Sequence, residues 1–352
     1  MSEANTQTAL PRYKQVKETV IDYIKAHTLK PGDKIPTEAE LCTLLGYSRV
    51  TINRAIKELE WEGVLERIQG SGTFIAVPKP LGVTYRLMVS SYRTSRQDYY
   101  LNELFAGIRE TAAETGVDIV FYTQSLVPRL EVVQQARADG VFVIGCDLDS
   151  LRQFLELHRS GVPVVGTALR NRIGEAPLVC SDNLDGVRQA VCHLRNLNHT
   201  KIAFVSPGIE TSDVQERLYG YQEAMTESGV RVDPTYILAS TQSAVVELLE
   251  PWWDNLESKP TAILCSGWLA GKTINMLTRK SIRIPADLSL IIMDNIPEAP
   301  LQDPPLTVIS QPIFELGKRG IAKLLEMLKS KDNGHPEILP TKLIIRKSTG
   351  PA

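Results

Sequence analysis

Residues 35–75 read IPTEAELCTLLGYSRVTINRAIKELEWEGVLERIQGSGTFI, and two parts of this stretch decide the fold of the N-terminal region. The first is Ser48-Arg49-Val50-Thr51-Ile52-Asn53-Arg54. Ser48 is a residue type that caps a helix, and Val50 with Ile52, Ala55, Ile56 and Leu59 supplies the apolar side of one. Arg49, Thr51, Asn53 and Arg54 are left outside, and such residues bind phosphate oxygens and read base edges in a major groove. The second part is Gly70-Ser71-Gly72, a glycine-hinged tip between two strand-forming runs, Val64 to Ile68 and Thr73 to Val77. A surface helix or a hairpin alone is commonplace. A groove-sized helix followed at once by a hairpin wing points to DNA.

Working outward, Thr37 caps a preceding helix with Glu38 and Glu40 in its first turn, where carboxylates oppose the helix dipole. Leu41, Leu44 and Leu45 are expected to form its buried face, and Gly46 to end it. The short Gly46-Tyr47 link is helix-turn-helix spacing. Upstream, Val16, Val20, Ile21 and Ile24 recur at helical intervals between Tyr13 and His27. Gln69, beside the wing glycines, is read either as a minor-groove or phosphate contact or as a solvated side chain.

Charge and composition narrow the partners. The chain has 352 residues, enough for two or three domains, and a formal net charge of -2, which offers nucleic acid no global attraction. Residues 10–80 carry eleven basic and nine acidic side chains, so DNA contact must rest on placement. Met1 to Ala9 is polar, no apolar run approaches the roughly 20 residues of a membrane span, and neither a signal peptide nor a membrane partner is expected. The five cysteines (Cys42, Cys146, Cys180, Cys192 and Cys265) lack paired spacing, which predicts reduced thiols in a cytoplasmic protein.

Tyr13-x-Gln15, Pro31-Gly32-Asp33-Lys34-Ile35-Pro36-Thr37-Glu38, Ser48-Arg49-x-Thr51, Leu59-x-x-x-Gly63 and Gly70-Ser71-Gly72-Thr73-Phe74 resemble the winged helix-turn-helix head of GntR-type transcription regulators. The resemblance implies a DNA-contacting set of Thr37, Glu38, Ser48, Arg49, Thr51, Asn53, Arg54, Gln69, Gly70, Ser71 and Gly72. One position departs. Asn53 stands where the family usually has Arg, and Asn suits a bidentate contact to adenine whereas Arg suits guanine or phosphate.

Residues 1–10 are expected to form a disordered tail, 11–77 the DNA-binding domain and 78–84 a linker marked by Pro78, Pro80 and Gly82. Beyond it, short apolar runs (Arg86 to Ser90, Val117 to Tyr122, Val141 to Gly145, Val162 to Gly166, Lys201 to Val205, Thr261 to Cys265, Leu288 to Met293) alternate with helical stretches. This α/β alternation predicts parallel sheets flanked by helices, in two lobes with a ligand cleft at strand C-termini.

Residues 85–352 resemble the sugar-sensing core of LacI-type regulators. The resemblance rests on Asp182-Asn183-x-x-Gly186, Lys201-Ile202-Ala203-Phe204-Val205, Arg217-x-x-Gly220-Tyr221, Ile284-Pro285-x-Asp287-Leu288-Ser289, Asp294-Asn295 and Leu306-Thr307-x-Ile309-x-Gln311-Pro312. It implies a two-lobed, periplasmic-binding-protein-like sensor and dimerisation domain with crossovers near 167–183 and 294–312. It also implies a ligand set of Tyr99, Tyr100, Asp182, Arg217, Trp268, Asp294 and Gln311. The residues themselves allow plainer roles. Asp182 could cap a helix, Arg217 form a surface ion pair, Asp294 cap a loop, and Tyr99 with Tyr100 pack. Gly267-Trp268 replaces the family's usual Asn-Asp, removing a polar contact and adding a stacking face.

Two decoys are set aside. Gly267 to Thr273 is one residue short of a phosphate-binding loop. His193 and His199, with Cys192, lack the i,i+4 spacing of a helical metal pair and read as a solvent-exposed helix end. No catalytic acid/base pair, cofactor motif or metal cluster stands out. The expectation is a sugar-responsive repressor that binds double-stranded operator DNA as a homodimer and senses a monosaccharide or sugar phosphate. A ligand-dependent activator, a corepressor-type regulator and a cytoplasmic sugar-binding protein without a DNA role are the alternatives.

Overall fold

The computed structural model describes residues 12–61, 63–68, 71–76, 85–91, 99–145, 150–167, 177–209, 211–330 and 335–352. The expected tail (1–10) and linker (78–84), Cys146, and the wing-tip residues Gln69 and Gly70 lie outside them. The chain divides into two compact units, Met1–Thr84 and Tyr85–Ala352.

The first unit contains α1 (Arg12–Ala26), α2 (Glu38–Leu45), α3 (Arg49–Trp61), β1 (Leu65–Ile68) and β2 (Gly72–Ile75). Thr37 and Glu40 form a reciprocal capping box at the start of α2, and Gly46 ends it in the left-handed region at φ 70°. Ser48 Oγ accepts from the Thr51 backbone N–H at 3.4 Å and so opens α3. The strands β1 and β2 pair antiparallel, with Leu65 opposite Ile75 and Ile68 opposite Gly72. The segment before α2 docks on the wing through Ile35 N–H to Thr73 O and Ile75 N–H to Asp33 O, both at 2.9 Å. Val16, Val20, Leu41, Ile52, Ile56 and Leu59 close the core.

Two residues expected inside are outside. Val50 is 80% exposed and Leu44 is 59% exposed. At about 100° per residue, Val50 falls on the opposite side of α3 from Ile56 and Leu59, so a stripe drawn through Ile52, Ala55, Ile56 and Leu59 cannot include it. Leu44 is three residues from Leu41, but α2 is one short helix with α3 covering a single flank.

Among the described residues, the second unit contains two large, mainly parallel sheets and a short parallel pair between residues 179–181 and 337–339. β3 (Arg86–Ser90), α4 (Tyr99–Thr115), β4 (Asp118–Tyr122), α5 (Leu130–Ala136), β5 (Gly140–Val143), α6 (Ser150–Arg159) and β6 (Val164–Gly166) build the first lobe, with strand order β4-β3-β5-β6. β7 (Val179–Ser181) leads into α7 (Asn183–Asn196), β8 (Ile202–Pro207), α8 (Ser212–Glu227), β9 (Ile237–Ser240), α9 (Gln242–Asn255), β10 (Ala262–Ser266), α10 (Ala270–Arg279), β11 (Ser289–Met293) and β12 (Thr307–Ser310). Then α11 (Ile313–Ser330) returns to the first lobe, and β13 (Glu337–Leu339) and β14 (Lys342–Ile344) follow. The second lobe has the order β14-β12-β11-β10-β8-β9, and only its edge strand β14 runs antiparallel, against β12.

Continuous apolar runs form the central strands because both faces of a parallel sheet are covered by helices. The chain passes between the lobes after β7, after β12, and between β13 and β14. The last passage was not anticipated, since β13 and β14 are three residues each and carry charged ends. Helix α11 packs back on α4, and both helices need glycine there. A Cβ on Gly107 would stand 2.0 Å from the Phe314 carbonyl oxygen, and one on Gly317 would stand 2.2 Å from that of Leu104.

His199 corrects a second expectation. It is 1% exposed, not part of a solvent-exposed helix end. Its Nε2 lies 2.9 Å from the Gly350 carbonyl oxygen, which can only accept, so Nε2 carries the proton and Nδ1 accepts from the Thr261 hydroxyl at 2.8 Å. The ring thereby ties the C-terminal segment to the second lobe. Thr273, the last residue of the phosphate-loop decoy, is likewise buried, beside the Cys265 thiol, whose pKa burial pushes up to about 12.

Candidate functional site

On α3, the spacing of Arg49, Asn53 and Lys57 places them one turn apart on a single face. That face, with Glu38, Val50, Arg54 and Glu58, lines one shallow groove. Glu38 organises it. Its Oε1 accepts from Asn53 Nδ2 at 2.9 Å and from Arg67 Nη2 at 2.6 Å, and its Oε2 lies 3.9 Å from Arg49 Nε. Arg67 also pairs with Glu60 at 3.0 Å, so the first wing strand is fastened to both helices. The Arg54 guanidinium lies over the Tyr13 ring, 4.1 Å from its centroid.

Other residues expected to touch DNA have local duties. Thr37 Oγ1 accepts from Glu40 N–H, and the Thr37 backbone N–H donates to the Glu40 carboxylate, which holds that carboxyl below its usual range. Ser48 and Thr51 share a hydroxyl contact of 2.8 Å. Ser71 sits at the wing turn, and Gly72 begins β2 at φ 127°, a conformation that favours glycine. Val50, Lys57, Glu58 and Arg67 were missed by sequence reasoning. The i,i+4,i+8 repeat of Arg49, Asn53 and Lys57 was the available signal for Lys57.

In the sensor, the polar residues gather where strands end. Arg217, on α8 and 8% exposed, donates Nε to Asn183 Oδ1 at 3.0 Å and places Nη2 3.5 Å from Asp213 Oδ2. Asn183 in turn donates to Glu216 at 3.3 Å. Burial opposes the Arg217 charge, but Asp294, Asp213 and Glu216 more than offset this and raise its pKa. Asp294 follows β11 in the left-handed region at φ 85°, a strained position for a side chain, and accepts from Gln311 Nε2. Asn183, Arg217, Asp294, Gln311 and Thr341 line one small cavity with apolar walls from Met293 and Ile309.

The first lobe contributes aromatic rings. Tyr99 and Tyr100 begin α4 and pack on that lobe's core, so the packing role and proximity to the cleft coexist. Burial raises the Tyr100 pKa, as do Asp213 and Asp294 of the other lobe, while Arg217 and a hydrogen bond with Thr167 oppose the rise. Tyr99 is raised by burial, then by Glu103 and Asp294.

Four members of the expected set, Tyr99, Tyr100, Asp182 and Trp268, are not among the residues that line the cavity. Asp182 caps α7, its Oδ1 accepting from the Asp185 N–H at 3.2 Å. Its neighbour Asn183 takes the place beside Arg217. Trp268 lies on a short 3-10 turn (Gly267–Leu269), 52% exposed. The adjacent Gly267 has a packing reason: a Cβ there would stand 2.6 Å from the Met293 carbonyl oxygen and 3.3 Å from Asp294 Cβ. Asp213, Glu216 and Thr341 were missed. The i,i+4 spacing of Asp213 and Arg217 was the only local clue. Among the described residues, no cluster of His, Cys, Asp and Glu is placed to hold a metal ion, and no helix is long and apolar enough to cross a membrane.

A winged helix with a polar reading face, joined in one chain to a two-lobed cleft domain, defines a ligand-sensing DNA-binding regulator. Residues 12–75 match the family model of the gntR bacterial regulatory proteins, and residues 191–349 match that of the periplasmic binding protein-like domain. The chain is 30% identical over 268 residues to the HTH-type transcriptional repressor CytR of Escherichia coli K12, covering 72% of this chain and 76% of that one. It is 29% identical over 362 residues to the arabinose metabolism transcriptional repressor of Geobacillus stearothermophilus, covering 97% of this chain and 99% of that one. A LacI family transcriptional regulator from Mycobacterium smegmatis shares the sensor's fold, with a TM-score of 0.64, 23% identity, and coverage of 76% of this chain and 99% of that one. The chain belongs to the HTH-type transcriptional repressors, in the form that couples a GntR-type head to a periplasmic-binding-protein-like sensor.

Proposed function

We propose that this repressor binds a two-fold operator in the cytoplasm as a homodimer joined through the sensor, and that a monosaccharide in the sensor cleft lowers operator affinity. The observation that carries the reading is the arrangement around Arg217: a forked donor fixed by Asn183 and Asp213, facing Asp294, with tyrosines of the opposite lobe alongside. A neutral polyol needs such rigid donors and acceptors, and Arg supplies paired donors in fixed geometry. Among the described residues, Asp213, Glu216 and Asp294 surround the one arginine, which favours an unphosphorylated sugar over a sugar phosphate. The full-length similarity to an arabinose metabolism repressor puts pentoses such as L-arabinose first.

The DNA-contacting set is Arg49, Thr51, Asn53, Arg54 and the wing, with Glu38 positioning Asn53 and Arg67. The ligand set is Arg217, Asp294, Gln311 and Asn183 with Tyr99, Tyr100 and Trp268. Residues 78–84 serve as the linker. For the sugar to act, it must bind the DNA-competent and DNA-free arrangements with different affinities. The test is anisotropy of a labelled operator titrated with the full chain against a panel of monosaccharides and their phosphates. One unphosphorylated sugar should weaken operator binding by about tenfold or more, within the usual range of coupling energies. Unchanged affinity with every sugar that binds would overturn the mechanism, and tighter binding would establish a corepressor instead.

A further inference from the structure

The reading face of α3 carries one exposed apolar side chain among its polar ones. Val50 occupies the first turn of α3, the end of a recognition helix that contacts base edges, and is 80% exposed. A single exposed valine on a protein surface needs no explanation. This one is flanked by Arg49, Asn53, Arg54 and Lys57, which line the same groove. At 3.6 residues per turn, Asn53, Arg54 and Lys57 all project within about 60° of Val50. A valine pressed against a phosphate, or against a donor or acceptor on a base edge, would strip water from that group without replacing its hydrogen bond. The major groove offers one apolar group, the thymine C5-methyl.

We propose that Val50 reads a thymine methyl in each operator half-site, in the base pair next to one read by Asn53. The inference rests on α3 being the groove-entering helix. Asn53 is prepared for its share of the reading. One Nδ2 hydrogen is held by Glu38, which fixes which way the amide faces. The other Nδ2 hydrogen and Oδ1 remain for the N7 acceptor and N6 donor of an adenine. Val50 and Asn53 are three residues apart on one helix face, so the two contacts fall on neighbouring base pairs. The half-site core therefore pairs a thymine with an adjacent adenine contact.

The test begins by enriching duplexes from a randomised library with the full wild-type chain. Each thymine of the enriched duplex is then replaced in turn by deoxyuridine, which removes only the methyl, and binding of wild type and Val50→Ala is measured by anisotropy. One deoxyuridine position per half-site should weaken wild-type binding by about threefold to tenfold, the scale expected for burying one methyl-sized group. Val50→Ala should lose the same factor on the thymine duplex and be indifferent to deoxyuridine at that position. The duplex-side change leaves the protein untouched, so its result stands whatever Val50→Ala does to folding. Deoxyuridine tolerated everywhere, an equal penalty in both proteins, or an enriched half-site without thymine would overturn the role of Val50. Enrichment of no duplex at all would overturn the operator-binding reading beneath it.

Discussion

The two candidate sites of this repressor are built in opposite ways. The reading face of the head comes from one helix and its immediate neighbours, with Glu38, Arg49, Val50, Asn53, Arg54 and Arg67 lying within thirty residues of sequence. The sensor cleft draws on Tyr100, Asn183, Arg217, Asp294, Gln311 and Thr341, assembled from the ends of distant elements in two lobes. A site made from one helix is set by local periodicity and tolerates changes elsewhere. A site made from many strand ends depends on the packing of the whole domain.

The largest effect is expected from Arg217→Ala. It removes the cation from between Asn183, Asp213, Glu216 and Asp294, and stripping one partner from such a buried cluster costs about 3–5 kcal/mol. Sugar binding by calorimetry should be abolished and the sensor's melting temperature lowered, while Arg217→Lys should keep more of the stability without restoring the sugar response. A retained sugar response in Arg217→Ala would dismiss Arg217 as a ligand. Next comes Gly107→Ala, where the new Cβ would collide with the Phe314 carbonyl oxygen. The forced separation of α4 and α11 should cost about 1–3 kcal/mol of sensor stability. Because Tyr99 and Tyr100 begin α4, sugar affinity should fall with it; an unchanged melt and affinity would show that the sensor site is as local as the head's.

Arg49→Ala should act in the opposite sense, sparing sugar affinity and weakening DNA. A phosphate contact predicts a uniform loss across sequences and a salt slope shallower by about 1, whereas a base contact predicts relaxed preference at one position. Asn53→Arg should shift the preferred half-site in a selection experiment, and an unchanged preference would remove Asn53 from the reading set. The smallest effect is that of pH on the second lobe. Burial lowers the His199 pKa below its usual 6.5. The stability it contributes is then fully present above about pH 6.5 and is lost as pH falls through the lower folded-state value. Thermal melts from pH 7.5 to 5 should decline more steeply for wild type than for His199→Gln, with parallel declines counting against this assignment.

The same contrast explains what could be read from the sequence. The head's helices, capping box and wing follow from local signals at Thr37, Gly46, Ser48 and Gly72. Its errors were also local: Val50 was placed inside because apolar character was counted without the angle around the helix, and Leu44 because a short helix was read as if covered along its whole apolar side. In the sensor, strands with long apolar runs such as β8, β10 and β11 were legible. The short β7, β9, β12, β13 and β14 were not, since three or four residues with a polar or charged end carry neither a period nor an unbroken apolar run, whereas the equally short β5 and β6 are apolar throughout. Arg217, Asp294 and Gln311 came from motif resemblance; of the readings left open for Asp182 the helix cap is the one seen, and Asn183, given no role of its own, lines the cavity. Tertiary contact decides which of two adjacent polar residues enters a cleft, and nothing in their local sequence encodes it. His199 shows the same limit, since its partners Thr261, Ser289 and Gly350 are distant in the chain.

The central claim is that the head and the sensor report to each other through a sugar. Thermodynamic linkage requires that if sugar weakens operator binding by some factor, operator weakens sugar binding by the same factor. Calorimetric titration of the sugar into the full chain, with and without saturating operator duplex, measures this directly. Sugar affinity reduced by operator to the extent that sugar reduces operator affinity is the predicted result. Equal sugar affinity in the two titrations would contradict it.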